Sequence, residues 1–226
     1  MFKYLYPFII VITIGNLTFA SPIPPAPNLN VKAYVLMDFD SGMILASSNK
    51  DLTLPPASIT KMMTAYRAFT EINENNISLG EDVLVSKKAW KTGGSKMFIE
   101  VGKKIKFKDI LQGVITVSGN DASVALAEHI SGDENTFAIY MNQMAKNIGL
   151  VNTNYTNATG LPNDSLYTTA DDIALLSRSL ISNFPDLYKL YSTKSFKFND
   201  IKQYSRNKLL FIDDNVDGIK TGFTSA

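Results

Sequence analysis

Two strand-like runs open the readable part of the chain, VKAYVLMDFD over 31–40 and MILASSN over 43–49, joined across Ser41-Gly42, and together they predict a β-hairpin. Pro55 and Pro56 then stop the chain. From residue 58 to 73 the apolar positions Ile59, Met62, Tyr66, Phe69 and Ile72 recur at helical spacing and predict an amphipathic helix. EDVLVSKKAW reads as a short strand, and KTGGSKMFIEVGKKIKF as a Gly-Gly loop followed by another. A helix is expected over 108–117, interrupted by SGND, and the next over 121–131. DENTFAIYMNQMAKNIG is a third, stopped by Gly149 as a C-terminal cap. TNATGLPND reads as loop. TTADDIALLSRSLISNF begins with a Thr-x-x-Asp pattern close to a capping box and continues as a helix. The remainder, through VDGIKTGFTSA, alternates strand and loop. Strands at the front, helices in the middle and strands at the end predict an α+β fold, with helices packed on an antiparallel sheet built from both chain ends.

The first twenty residues, MFKYLYPFIIVITIGNLTFA, carry one early lysine, an apolar stretch and the small residues Thr18 and Ala20, which is the layout of a secretory signal peptide over 1–20. An uncleaved signal anchor is the alternative. SPIPPAP lies within a proline-rich linker over 21–29. Either way the domain is exported, and an exported chain without cysteine points to a bacterial envelope.

Composition narrows the chemistry. A net charge of +1 gives no overall electrostatic footprint for nucleic acid. The absence of cysteine removes disulfides, thiolate metal sites and a cysteine nucleophile. A single histidine, His129, is too few for a zinc enzyme. It sits near the end of an expected helix, where a partly exposed structural histidine is the plain reading, against membership of a Ser-His-Asp triad.

Ser58 and Lys61, three residues apart at the mouth of a helix, share one face with about 5–6 Å between their Cβ atoms. A serine hydroxyl becomes a good nucleophile when a base takes its proton. A lysine serves as that base when it is neutral, and burial together with the positive end of a helix favours the neutral form. An N-cap serine beside a snorkelling lysine would give the same pattern. Further along, Ser118-Gly119-Asn120 occupies a turn between two helices, and Lys220-Thr221-Gly222 lies in a strand-like run where Gly222 admits close approach of a ligand backbone. Taken singly, Ser118 could cap the helix that follows, Asn120 could form an Asx turn, and Lys220 could be a solvated edge-strand lysine.

Ser-x-x-Lys, Ser-x-Asn and Lys-Thr-Gly in this order are the motif set of penicillin-binding proteins and class A β-lactamases. The blocks ASITKMMTAY, GGSKMFIEVG, VSGNDASVALAEHISG, FAIYMNQMAKNIGL, NATGLP and NVDGIKTGFT, over roughly residues 30–226, resemble the D-alanyl-D-alanine carboxypeptidases of the low-molecular-mass penicillin-binding protein family, a serine peptidase family. That resemblance implies the penicillin-binding, serine β-lactamase-like fold and an activity in peptidoglycan biosynthesis and cell-shape maintenance. It implies Ser58 as the nucleophile that attacks the carbonyl of the penultimate D-alanine, Lys61 as its general base and Ser118 as a proton relay. Asn120 would hold the substrate amide and help fix Lys61. Lys220 would bind the terminal carboxylate with Thr221 beside it, and Gly222 would complete the substrate-binding run. The backbone N–H of Ser58 and one on the Lys-Thr-Gly run would form the oxyanion hole. Gly93-Gly94-Ser95 would border the cleft.

No cofactor and no metal are implied. The expected partners are peptidoglycan pentapeptides ending in D-Ala-D-Ala, with β-lactams as inhibitors and no nucleic acid. The expected location is the periplasm, at the outer face of the cytoplasmic membrane. Compared with the family pattern, the catalytic domain over 30–226 is expected to lack its last strands, a second domain and a C-terminal anchor to the inner membrane. A truncated, inactive binder of penicillin or peptidoglycan, a D,D-endopeptidase and a β-lactamase are the alternatives. The last needs a second base, usually a glutamate, and NATGLPNDSLYTTADD has none.

Overall fold

A computed structural model describes Ala26 and residues 28–223. The expected signal peptide and most of the linker lie outside the described residues. The first hairpin forms as its sequence predicts. Strand β1 (Tyr34–Met37) pairs antiparallel with β2 (Ile44–Ser48), from Tyr34 opposite Ser48 to Met37 opposite Ile44. Asp38 closes the turn by accepting the Ser41 N–H at 2.9 Å. Arg178, far along the chain, donates from Nε to Phe39 O at 2.7 Å and from Nη2 to Asp40 O at 3.0 Å, which fastens that turn to the helical layer.

After Pro55-Pro56 the chain makes one 3₁₀ turn, Ala57–Thr60, and only then enters helix α1 (Lys61–Asn73). The helix thus begins three residues later than its apolar spacing indicates, and Ser58 sits in the tighter turn. β3 (Asp82–Leu84) pairs with β4 (Lys104–Lys106). The second half of EDVLVSKKAW is helical rather than extended, because Ser86 accepts the Ala89 N–H at 3.0 Å and caps a short α2 (Lys87–Lys91). Helices α3 (Phe107–Thr116), α4 (Asn120–Ser131) and α5 (Glu134–Asn147) follow within a residue or two of their expected bounds. Thr169 Oγ1 accepts the Asp172 N–H at 3.1 Å, so the expected cap starts α6 (Ala170–Asn183). A four-residue α7 (Pro185–Tyr188), which periodicity could not reveal, precedes the hairpin β5 (Ser195–Phe198) and β6 (Ile201–Tyr204).

The chain is α+β, as expected, but one expectation is corrected. Among the described residues the strands form three separate antiparallel pairs, not one sheet joined from both chain ends. Residues 216–223, the strand-like run with Lys220-Thr221-Gly222, form no ladder with another described segment. Within this run Gly222 lies against the 3₁₀ turn before α1, and Gly218 against Tyr188 and Tyr191.

A single apolar core fills the helical layer, with α1 at its centre packed by α3, α4, α5 and α6. Met62, Met63, Ala65, Ala68 and Phe69 are all at or below 2% exposure. A helix buried on nearly every side carries its first turn into the interior as well, and that is how Lys61, at 1% exposure, comes to be buried.

Candidate active site

Lys61 Nζ lies 3.3 Å from Ser58 Oγ, 2.6 Å from Asn120 Oδ1 and 2.5 Å from the Thr159 carbonyl oxygen. Burial drives the lysine pKa well below its ordinary value. The positive charges of Lys220 and Arg206 push it further down, and Asp121 opposes them. A neutral amine has two N–H bonds and one lone pair. Asn120 Oδ1 and Thr159 O are acceptors only, so they take both N–H bonds, and the lone pair is left for the Ser58 hydroxyl proton. The amine is therefore oriented with its lone pair towards Ser58 Oγ, and the snorkelling reading is excluded by its burial.

The second motif sits where α3 gives way to α4. Gly119 is the N-cap of α4 and no side chain caps that helix, so Ser118 is not a capping residue. Its φ of +61° and 1% exposure place Oγ in the interior without a protein partner, on the lining of the cleft. Asn120 is the first residue of α4. Its amide nitrogen donates from the side chain to Gly93 O at 2.8 Å, and its backbone N–H donates to Ser95 O at 2.7 Å. One residue thus ties the lysine to the Gly-Gly loop. Asp121 fixes the same loop from below. Its carboxylate accepts the N–H groups of Met97 at 2.8 Å, Phe98 at 2.9 Å and Ile99 at 3.3 Å, a nest of consecutive amides around one anion.

The Thr159 carbonyl reaches Lys61 because Asn157 folds the loop around its own side chain. Asn157 Oδ1 accepts from Thr159 N, Thr159 Oγ1 and Gly160 N at 3.1, 2.8 and 2.7 Å, and its Nδ2 donates to Leu161 O at 3.1 Å. Thr64 Oγ1 donates to Ala158 O at 2.8 Å and straps the loop to α1. Gly160 has φ +80°, and a Cβ there would lie 1.8 Å from Ala57 O. Only glycine lets the loop lie this close to the turn that bears Ser58.

Thr221 and Gly222 complete the opposite wall, and Lys220 precedes them in the same run without itself lining the cleft. A Cβ on Gly222 would come within 3.1 Å of both Ile59 Cγ1 and Pro56 O, so the glycine lets this run approach the start of α1. Lys220 is half-buried and donates to Thr221 O at 3.1 Å. Its pKa falls to about 8, first through burial and then through the charge of Arg206. Together with Ser58, Ser118 and Asn120, the cleft of about 460 Å³ is lined by Gly94, Ser95, Thr159, Gly160, Leu161, Pro162, Arg206, Thr221, Gly222 and Phe223.

All three motifs therefore converge on one cleft. Arg206, Asn157, Thr159 and Asp121 escaped the sequence reading. Arg206 is one of many basic residues in its stretch, and a backbone carbonyl such as that of Thr159 has no residue signature. His129 is elsewhere, at the last turn of α4, with Nε2 2.7 Å from Glu81 Oε1. No Asp or Glu is among the described residues lining the cleft, so the second base of a β-lactamase has no candidate there.

Residues 20–226 match the family model described as D-alanyl-D-alanine carboxypeptidase. The chain belongs to this family. The D-alanyl-D-alanine carboxypeptidase DacA of Haemophilus influenzae is 44% identical over 203 residues, covering 88% of this chain and 52% of that protein. Among solved structures, DacD of Francisella tularensis superposes with a TM-score of 0.88 at 36% identity, over 90% of this chain and 62% of that one. Penicillin-binding protein D2 of Listeria monocytogenes, solved in its cefotaxime-bound form, gives 0.79 at 29% identity, over 89% and 83%. The chain spans about half the length of the curated carboxypeptidases it matches.

Proposed function

We propose that this carboxypeptidase-family chain is a serine-type D,D-carboxypeptidase that removes the terminal D-alanine from peptidoglycan stem peptides through an acyl-enzyme on Ser58. The observation that carries the reading is the fixed amine of Lys61, with both N–H bonds taken and its lone pair free for Ser58 Oγ.

Ser58 Oγ attacks the carbonyl carbon of the penultimate D-alanine while its proton passes to Lys61 Nζ. A positioned base of this kind contributes about 10²–10⁴ in rate. The Ser58 N–H and one from the Thr221–Phe223 run receive the oxyanion. Collapse of the tetrahedral intermediate breaks the C–N bond, and the proton returns by way of Ser118 Oγ to the leaving nitrogen. Lys220 and Arg206 hold the terminal carboxylate, which restricts the leaving group to a free C-terminal residue. Water then hydrolyses the acyl-enzyme, and the serine hydroxyl is restored. A β-lactam acylates the same oxygen by the same route and inhibits.

The leader-like N-terminus supports export, with the enzyme working in the bacterial periplasm at the outer face of the cytoplasmic membrane. Among the described residues no helix is long and apolar enough to cross a membrane. The test is D-alanine release from a peptide ending in D-Ala-D-Ala, with the Ser58→Ala variant as control. Release that depends on Ser58 is expected. Penicillin labelling without release would make the chain a binder, and release unaffected by Ser58→Ala would overturn the reading.

A further inference from the structure

Charge is unevenly spread along this nearly neutral chain. Residues 87–108 and 194–208 hold 13 of the 22 lysines and arginines and only two acids, Glu100 and Asp200. The remainder holds nine basic and 19 acidic residues. A net charge of +1 thus conceals a strongly basic part and a strongly acidic one.

The fold brings the two basic segments together at two places. At the cleft, Gly94 and Ser95 of the first segment share the lining with Arg206 of the second. Farther out, Lys103, Lys104 and Lys106 form a groove of about 400 Å³ with Phe198 and Asn199, and the Asn199 side chain reaches Phe98 O at 3.4 Å. Glu100 and Asp109 also line this groove. Lys106 is paired with Asp82 and Lys197 with Asp200, each at 2.8 Å. Lys103, Lys104 and Lys194 are exposed and form no ion pair among the described residues. Like charges gathered in this way repel one another, and they raise the local concentration of an oppositely charged ligand.

We propose that this basic band is a steering and docking surface for an acidic peptide, one that carries several carboxylates in addition to the one bound in the cleft. The inference rests on the peptidase reading, because Ser95 and Arg206, one from each basic segment, line the cleft where that reading puts the terminal carboxylate. An occupant of the cleft is the molecule best placed to touch it.

The test compares two peptides ending in D-Ala-D-Ala, one with two further carboxylates and one with both amidated, on the full-length protein. Between 0.03 and 0.3 M NaCl, kcat/KM for the acidic peptide should fall about tenfold, and for the amidated one about threefold or less. The Lys103→Gln/Lys104→Gln/Lys194→Gln variant should bring the acidic peptide to the smaller dependence, with kcat and penicillin acylation unchanged. Lys32→Gln/Lys146→Gln, outside the band, should change nothing. Equal salt dependence for the two peptides, or no effect of the triple variant, would overturn the proposal. So would phosphatidylglycerol vesicles that bind the wild type and not the triple variant while the peptides behave alike. Should neither peptide release D-alanine, the peptidase reading fails; salt-dependent binding of the two peptides to Ser58→Ala, by fluorescence anisotropy, then decides the band by itself.

Discussion

Lys61 Nζ and Asn120 Oδ1 meet at 2.6 Å across the junction of α1 and α4, and that contact orients the amine that the proposed mechanism uses as a base. The amine is fixed from one side by a helix N-terminus and from the other by the Thr159 carbonyl, so its lone pair has one direction left.

Lys61→Arg puts a permanently charged guanidinium where the neutral amine sits, and that group cannot give up a proton at working pH. Acylation by penicillin should fall by about 10²–10⁴, the range of general-base catalysis. Stopped-flow acylation checks this, with circular dichroism to confirm that the variant is folded. An arginine variant that acylates at the wild-type rate would remove Lys61 from the mechanism.

The two lysines set opposite limbs of the pH profile. Lys61 must be neutral, so kcat/KM should rise with pH through its depressed pKa. Lys220 must be charged to hold a carboxylate, so kcat/KM should fall as pH passes about 8. A bell is expected, and since kcat/KM reports the free enzyme, bound substrate does not shift the limbs. Lys220→Arg keeps its proton and should flatten the descending limb. Persistence of that limb in the arginine variant would assign it to another group.

Asn157 positions the base at one remove, through the Thr159 carbonyl. Asn157→Ala should slow the acylation step about 10-fold or more while noncovalent penicillin affinity stays within about twofold, a split read as loss of an interaction that matters in the transition state. Asn157→Asp keeps the acceptor oxygen and should restore most of the rate. Its added negative charge near Lys61 should also move the ascending limb to higher pH. A loss of affinity with an unchanged acylation step would contradict this role.

Gly160→Ala should disrupt the same loop by a different route. Its φ of +80° and the 1.8 Å approach to Ala57 O leave no place for a methyl group. A cost of about 1–3 kcal/mol in a thermal or denaturant melt is expected, with acylation reduced as the Thr159 carbonyl leaves Lys61. An unaltered melting temperature would mean that the loop does not bear on the Ser58 turn.

Much of this site was legible because its polar residues stand in fixed places relative to helix starts. Ser58 and Lys61 show as two polar positions in a run otherwise built for burial, and Ser118 and Asn120 as polar side chains in a gap between two helices. What stayed hidden depends on backbone or on tertiary approach. The Thr159 carbonyl bonds Lys61 across 98 residues of chain. Asp121 reads as an ordinary helix-start acid until the amides of Met97, Phe98 and Ile99 are seen around it. Helices α2 and α7 have too few residues for periodicity to register. The strand-like pattern of the Lys-Thr-Gly run reports its tight packing on the start of α1, and a ladder needs a partner that no described segment supplies.

The account stands most directly on Ser58, and peptide mapping by mass spectrometry after incubation with benzylpenicillin tests it. A single penicilloyl adduct on the peptide containing Ser58, absent from Ser58→Ala, is the predicted result. An adduct on any other residue, or one that survives in Ser58→Ala, would contradict it.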